Sequence, residues 1–326
     1  MKLLVTGGAG YIGSTVTTLL VEAGHQVTVV DDLSTGFEAG VPAGVEFLRA
    51  RLQDAAPEVL TRSAGYDAVL HFAAFIAVGE SVHEPAKYWD NNVVGTLRLI
   101  EAAHAAEVPK LIFSSTGTVH GDTTELPITE SAPLNPLNPY AASKLAVDLM
   151  LSGQAAAHGL GAVSLRYFNA AGALIRPGGH SCGERHEPET HLIPIVLQVA
   201  AGQREKLPMY GDDYETPDGT CIRDYIHIED LATAHLLALD AVQPGQHRIY
   251  NLGNGNGYSN LEVVRAVREV TGHPVPLSVE PRRPGDIVSQ VASSAKAHRE
   301  LGWQPQRPDL REIIASAWEF HRTALT

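Results

Sequence analysis

The chain has 326 residues, room for one large α/β domain or for one with a smaller partner built on it. Hydrophobic residues make up 44% and charged residues 19%, with no low-complexity tract or block of like charge, which excludes a largely disordered chain. A formal net charge of -13 excludes general affinity for nucleic acid or anionic lipid, while a few local arginines still suffice to trap a small anion.

Met1 to Val5 run as a strand straight into a glycine loop, too short for a signal-peptide core. No apolar run approaches the roughly 20 residues of a membrane span. Cys182 and Cys221 sit in no CxxC or His-rich pattern, so neither a disulfide framework nor a metal site is expected. These features together predict a cytoplasmic protein.

The first strand covers 2–6, and Thr6 leads into Gly7, Gly8, Ala9, Gly10, Tyr11, Ile12 and Gly13 at the head of a helix over 11–22. In this GxxGxxG spacing Gly7 permits the tight turn, Gly10 lets a pyrophosphate approach the backbone, and Gly13 lets the helix pack closely. The loop alone is weak; an acid closing the second strand, 26–30, gives it context. That acid is Asp31, followed by Asp32, Leu33 and Ser34. A carboxylate there accepts both ribose hydroxyls and repels a 2′-phosphate, which predicts NAD rather than NADP, whereas Asp32 reads equally well as a solvated turn residue.

A strand over 68–72 precedes a helix over 84–106, on which Asn91 either bonds the cofactor or caps a neighbouring loop. The strand 110–115 ends at Ser114, Ser115 and Thr116, with Ser114 suited to strand-end hydrogen bonding. Asn138 and Pro139 open a helix over 140–157 that begins Tyr140, Ala141, Ala142, Ser143, Lys144. Tyr140 and Lys144 lie one turn apart on one face. An ammonium near a phenol stabilises the phenolate and lowers its pKa from ~10 toward the range of a general base. Thr116 is placed to share a hydrogen bond with Tyr140 and a substrate oxygen.

After a strand over 162–167 the alternation breaks down. Residues 172–219 read as irregular, with one helix near 192–201, and a strand over 249–252 and helices from Asn260 and Asp309 follow. The fold class is therefore α/β: a doubly wound parallel sheet of the Rossmann type over 1–170, with a smaller C-terminal lid over 171–326. Segments of about 220–255 return to the first part.

Taken in order, the glycine loop, Asp31, the Ser-Ser-Thr strand end and the Tyr140/Lys144 pair resemble the extended short-chain dehydrogenase/reductase family. Further stretches are similar to its nucleotide-sugar epimerases: His71, Phe72, Ala73, Ala74 with Val78, Gly79, Glu80, Ser81; Arg166, Tyr167, Phe168, Asn169; Pro188, Glu189, Thr190, His191, Leu192, Ile193, Pro194; Arg223, Asp224, Tyr225, Ile226, His227; and Arg283, Pro284, Gly285, Asp286. The resemblance runs from Met1 to about Trp303. It implies reversible epimerisation at carbon 4 of a UDP-hexose through a 4-keto sugar, with Tyr140 as acid and base, Lys144 holding the nicotinamide ribose and Thr116 orienting the reacting oxygen. Tyr11, Ile12, Leu52, Phe72, Ala73, Ala74, Ser114 and Tyr167 join the cofactor set. Asn169, Arg223 and Arg283 would hold the phosphates, Asp286 the uridine ribose, and the backbone near Leu192 and Tyr210 the uracil; His191, Tyr225 and Gln290 complete the substrate set. Members commonly pair as homodimers through helices that correspond here to 84–106 and 140–157.

Arg51 departs from the pattern, standing where the family usually has an aspartate on the adenine; neighbouring Asp54 reads as a helix N-cap. Ile76 and His120 also depart, as a packing position and a loop residue. A dehydratase or decarboxylase would want an acid beside Thr116, where Gly117 and Thr118 follow instead. A noncatalytic NAD sensor would have no reason to keep Thr116, Tyr140 and Lys144 together. Gln290 borders the sugar in the resemblance, although a glutamine also reads as an exposed rim residue.

Overall fold

The computed structural model describes residues 1–123, 125–283 and 286–323. Strand β1 (Lys2–Thr6) buries four consecutive side chains, as a strand covered on both faces must. It is followed by α1 (Tyr11–Glu22), β2 (Gln26–Asp31), β3 (Glu46–Arg49), α2 (Leu52–Val59), β4 (Ala68–His71), α3 (Val78–His83), α4 (Pro85–Tyr88), α5 (Gly95–Ala105), β5 (Lys110–Thr116), α6 (Pro139–His158) and β6 (Gly161–Tyr167). Beyond these lie β7 (Asn169–Ala171), β8 (Ala173–Leu174), β9 (Cys182–Gly183), α7 (Leu192–Ala200), β10 (Leu207–Tyr210), β11 (Ile222–His227), α8 (Ile228–Ala241) and β12 (His247–Leu252). The chain ends with β13 (Gly257–Ser259), α9 (Asn260–Thr271), β14 (Leu277–Glu280), β15 (Ser289–Gln290), α10 (Ala295–Leu301) and α11 (Leu310–Thr323).

Seven parallel strands form the main sheet in the order β12-β6-β5-β4-β1-β2-β3. The chain winds outward from β1 toward β3, then crosses back to β4 and winds the other way. Neighbouring connections therefore diverge above β1 and β4, which opens a crevice at the carboxyl ends of the strands. Apolar layers close both faces. Val16 and Leu20 of α1 join Leu231 and Ala238 of α8 and Trp303 on one side, while Ala55, Leu99, Val147 and Leu151 of α2, α5 and α6 cover the other. A third apolar cluster joins α7, α9 and α11 through Val196, Val267 and Ile313, and β11 reaches it from a small sheet with β7, β13 and β15.

Several expected elements are redrawn. The helix expected over 84–106 is interrupted: between α4 and α5 the backbone widens into a π-helical turn, Trp89–Val94. Thr96 Oγ1 takes the Asn92 carbonyl at 2.6 Å, and the Asn92 amide leaves the helix to hold both backbone groups of Phe75 and the Ser143 hydroxyl. Such side-chain bonding competes with the regular ladder. Asp54 lies inside the first turn of α2, and Arg51 is its N-cap, without a side-chain cap bond. The irregular 172–219 contains β8, β9 and β10, and the strand expected over 249–252 starts at His247.

Three of the buried histidines are held furthest from charge. Burial holds His71 and His227 down to about 3 and His235 down to about 4, helped at His71 by Lys144 and at His227 by Arg307. An unfolded chain takes up these protons near pH 6.5 and the folded chain does not. Their stabilising contribution is therefore complete above pH 6.5 and disappears as the pH falls toward 3–4. His235→Phe should flatten this acid slope, by an amount on the order of 3 kcal/mol at the acid end. Denaturant unfolding between pH 7 and 4.5 measures it, and equal slopes in the two proteins would contradict the reading.

Candidate active site

The glycine loop crosses the carboxyl end of β1. Gly7 has φ +73 and its amide donates to the Val30 carbonyl at 2.8 Å, tying the turn to β2. A Cβ at Gly7 would overlap the backbone of Ala73, and one at Gly13 would overlap the Gly7 carbonyl oxygen, so the loop, α1 and the end of β4 touch backbone to backbone. Gly10 caps α1 with no side-chain bond, and the first turn holds no acidic residue. The first-turn N–H groups, including those of Tyr11, Ile12 and Gly13, thus form an anion site without an internal anion. The Tyr11 hydroxyl is committed elsewhere, to the Gly172 carbonyl at 2.8 Å.

Asp31 stands beside this loop at the end of β2. Its two oxygens accept the Ala9 and Leu33 amides at 3.0 and 2.8 Å, leaving further lone pairs for a diol; burial raises its pKa, against those two bonds. Asp32 orders the turn by accepting the Ser34 amide at 2.9 Å. Phe72 and Ala73 donate their amides to the Thr6 carbonyl, Ala74 follows them at the crevice, and Leu52 is buried in the core below. Asn91 touches Asn92, and it is Asn92, absent from the sequence reading, that caps the neighbouring loop.

Tyr140 opens α6, whose N-cap Asn138 accepts the Ala141 amide at 2.9 Å. Burial pushes the phenol up to about 12, with the Thr116 hydroxyl pulling it back. Lys144 is 2% exposed and donates to the Ser114 carbonyl at 2.8 Å; burial brings its ammonium down to about 7 against the pull of Asp148. The expectation that the Lys144 ammonium lowers the Tyr140 phenol toward the range of a general base is thereby corrected. Withdrawal from water outweighs it at both groups. Ser114 Oγ bonds the Tyr167 hydroxyl, the strand-end role foreseen for it. Asp148, one turn beyond Lys144, forms a buried pair with Arg166 at 2.8 Å, which spacing within the α6 segment gave no reason to anticipate.

Across the crevice, Asn169 on β7 donates to the Asp224 carbonyl at 3.0 Å, and the register places it opposite Tyr225 of β11. Among the described residues Arg223 has no ion pair, and it donates only to the Ile222 carbonyl at 2.8 Å. Arg283 instead forks onto Asp286 at 3.0 and 3.1 Å and lies over the Tyr210 ring, so two residues expected on different parts of a ligand are joined to each other. Tyr225 is 5% exposed and packs in the third apolar cluster. His191 and Leu192 begin α7; burial would lower His191, but Glu184 and Glu189 overcome it and hold the imidazolium up to about 10. Gln290 is 5% exposed and its Nε2 has no partner, so the exposed-rim reading is wrong: pairing of β15 with β11 draws it inside. Pro284 and Gly285 lie outside the described residues.

Arg51 reaches Asp90 at 3.3 Å, an exposed pair. His120 is a buried residue bonded to the Pro133 carbonyl at 3.2 Å, and Ile76 is 41% exposed rather than packed.

The profile of the NAD dependent epimerase/dehydratase family matches residues 3–253. The chain belongs to this family. It is 57% identical over 324 residues to a UDP-glucose 4-epimerase of Streptomyces lividans, covering 98% of this chain and 96% of that one. A Brucella ovis UDP-glucose 4-epimerase solved in complex with NAD superposes with a TM-score of 0.91 at 44% identity, covering 98% of each chain. A Bifidobacterium longum UDP-glucose 4-epimerase solved with NAD+ and UDP gives 0.92 at 39% identity, covering 99% of this chain and 98% of that one.

The contact between Gly13 and the Gly7 carbonyl tests the loop directly. Gly13→Ala should cost about 2 to 4 kcal/mol, because backbone must shift. Gly153→Ala, in α6 with nothing within 4 Å of the added Cβ, should be neutral or stabilising. Thermal melts of the two variants, equal within error, would refute the packing argument.

Proposed function

We propose that the chain epimerises carbon 4 of a UDP-hexose, interconverting UDP-galactose and UDP-glucose, with NAD as cofactor. The observation that carries this is Tyr140, seated beside Thr116 one turn from buried Lys144, at the carboxyl edge of a sheet whose glycine loop and Asp31 lie across the same crevice. The cradle fits NAD: an added Cβ at Gly10 would meet only the Gly7 carbonyl oxygen, at 3.4 Å, so the loop offers bare backbone there, the α1 terminus is uncapped, and Asp31 keeps lone pairs for a ribose. When bound, NAD supplies the hydride acceptor for carbon 4 and the donor that restores it.

Tyr140 takes the proton of the sugar 4-hydroxyl as carbon 4 loses its hydride, and gives it back when the ketone, turned in the site, is reduced on its other face. Thr116 Oγ1 shares a hydrogen bond with that oxygen. The Lys144 side chain, fixed by the Ser114 carbonyl, works when charged against the burial that raises Tyr140. Elimination is disfavoured because no acid stands beside Thr116: Gly117 and Thr118 follow it, and a side chain at Gly117 would require the Phe168 ring to move. Arg223 serves the diphosphate best, lacking an internal anion, and Arg283 would exchange Asp286 for it. Exposed Val94 at the N-cap of α5, Leu97 on α5 and Leu149 on α6 support pairing of two copies through those helices.

Tyr140→Phe should lower kcat by about 10²-fold or more while NAD stays bound. Near-normal turnover of UDP-galactose by that variant would remove Tyr140 from the mechanism. Gln290 sets the sugar: filling the space of an acetamido group, it should favour UDP-galactose over UDP-N-acetylgalactosamine by roughly 10 to 200-fold in kcat/KM. Gln290→Gly should narrow that ratio, and an unchanged ratio would leave Gln290 without this role.

A further inference from the structure

We propose that Glu184, His186, Glu189 and His191 form a zinc site that fastens the segment between β9 and α7. The cysteine spacing that argued against a metal says nothing of this Glu-x-His-x-x-Glu-x-His run. The four side chains offer donor atoms that all lie within 4.8 Å of one another. His186 Nδ1 stands 3.6 Å from Glu184 Oε1 and 3.5 Å from Glu189 Oε2, and His191 Nδ1 stands 2.8 Å from Glu184 Oε1 and 3.5 Å from Glu189 Oε1. A tetrahedron with zinc–donor arms of about 2.0 to 2.1 Å has edges of about 3.3 Å; with Glu189 Oε2 as its donor, the two separations from His186 approach that figure and the one between His191 and Glu184 is shorter.

Two further observations point to a ligand. His186 Nδ1 is buried with no hydrogen-bond partner, although it faces two carboxylates. Those carboxylates are themselves withdrawn from water, the Glu184 and Glu189 side chains being 9% and 3% exposed. Glu189 is pre-set, since its Oε1 accepts the Thr190 and His191 amides at 2.8 and 2.9 Å and its Oε2 is left toward His186. A divalent cation held by the two imidazoles in their neutral form would cancel both buried carboxylate charges, taking over the place of the His191 imidazolium that faces Glu184 and Glu189. Mixed nitrogen and oxygen donors at four-coordinate spacing select zinc over magnesium or calcium, which prefer oxygen and more ligands. His191, 46% exposed, leaves an entry path.

The segment is held at both ends, by Cys182 pairing with Leu174 and by α7 in the third apolar cluster, so an ion here would fix the ring of His191 at the edge of the crevice. The inference does not depend on the reaction assigned to the crevice. Elemental analysis of the full-length protein, purified with zinc and then dialysed free of excess metal, should give about one zinc per chain. Chelation should lower the melting temperature, with recovery on ZnCl2 and not on MgCl2. His186→Ala should retain no zinc, and Glu184→Gln, nearly isosteric, should bind it more weakly while melting as the chelated protein does. Substitution with cobalt should give the intense visible bands of a tetrahedral site. Absence of zinc with a melting temperature indifferent to chelator, or equal zinc retention in His186→Ala, which would mark an adventitious ion only, overturns the proposal.

Discussion

The Gly7 carbonyl lies against the Cα of Gly13, and this contact governs how the rest of the crevice is built. It allows α1 to start close over the sheet, with unpaired N–H groups directed at the place where β1 and β4 part. The Gly7 amide is spent on Val30 and that of Ala9 on Asp31, so the loop is bound to β2 on the side where the carboxylate stands. Position of the helix end and position of the acid are thus one geometric fact. Neither is adjustable without the other.

On the far side of β4, chemistry is set by burial rather than by neighbouring charge. Tyr140 and Lys144 are each withdrawn from water, which favours the neutral form of both. The buried Asp148–Arg166 pair lies one turn deeper and ties α6 to β6, while Ser115 adds a bond to the same carboxylate at 3.3 Å. A buried pair of this kind costs much if one partner is lost. Its place under Lys144 means that the lysine rests on a rigid floor. Asp224 does similar work across the crevice, its buried carboxylate accepting the amides of Asn254, Gly255 and Ala292 and thereby holding β11 to the turn after β12.

What could be read in advance was what depends on local order. The glycine spacing, Asp31 at a strand end, and Tyr140 one turn before Lys144 are relations between near neighbours, and the periodicity of α1 and α6 follows directly from their burial. Pairings between distant segments were not legible. Nothing near Gln290 announces that β15 will lie beside β11, and nothing near Arg283 announces whether its guanidinium will meet Asp286 or a phosphate. The π-helical turn at Trp89–Val94 is bonded to Thr96, Phe75 and Ser143, residues of α5, of the loop after β4 and of α6. The shift of Tyr140 was misjudged for a related reason: charge is visible in a sequence, whereas loss of water is visible only in a packed fold.

The order of the main sheet also bears on how the chain comes off the ribosome. β6 is buried along its whole length in the finished protein, yet its outer neighbour β12 is encoded only after β7 to β11, α7 and α8 have been made. Throughout that interval Gly161–Tyr167 presents a row of free amides and carbonyls with apolar faces, the kind of edge on which nascent chains associate. Arrival of His247–Leu252 seals it. Every insertion tolerated between those two strands therefore lengthens the exposure of the nascent sheet, which places the cost of elaborating the substrate side of the molecule on its biosynthesis rather than on its finished stability.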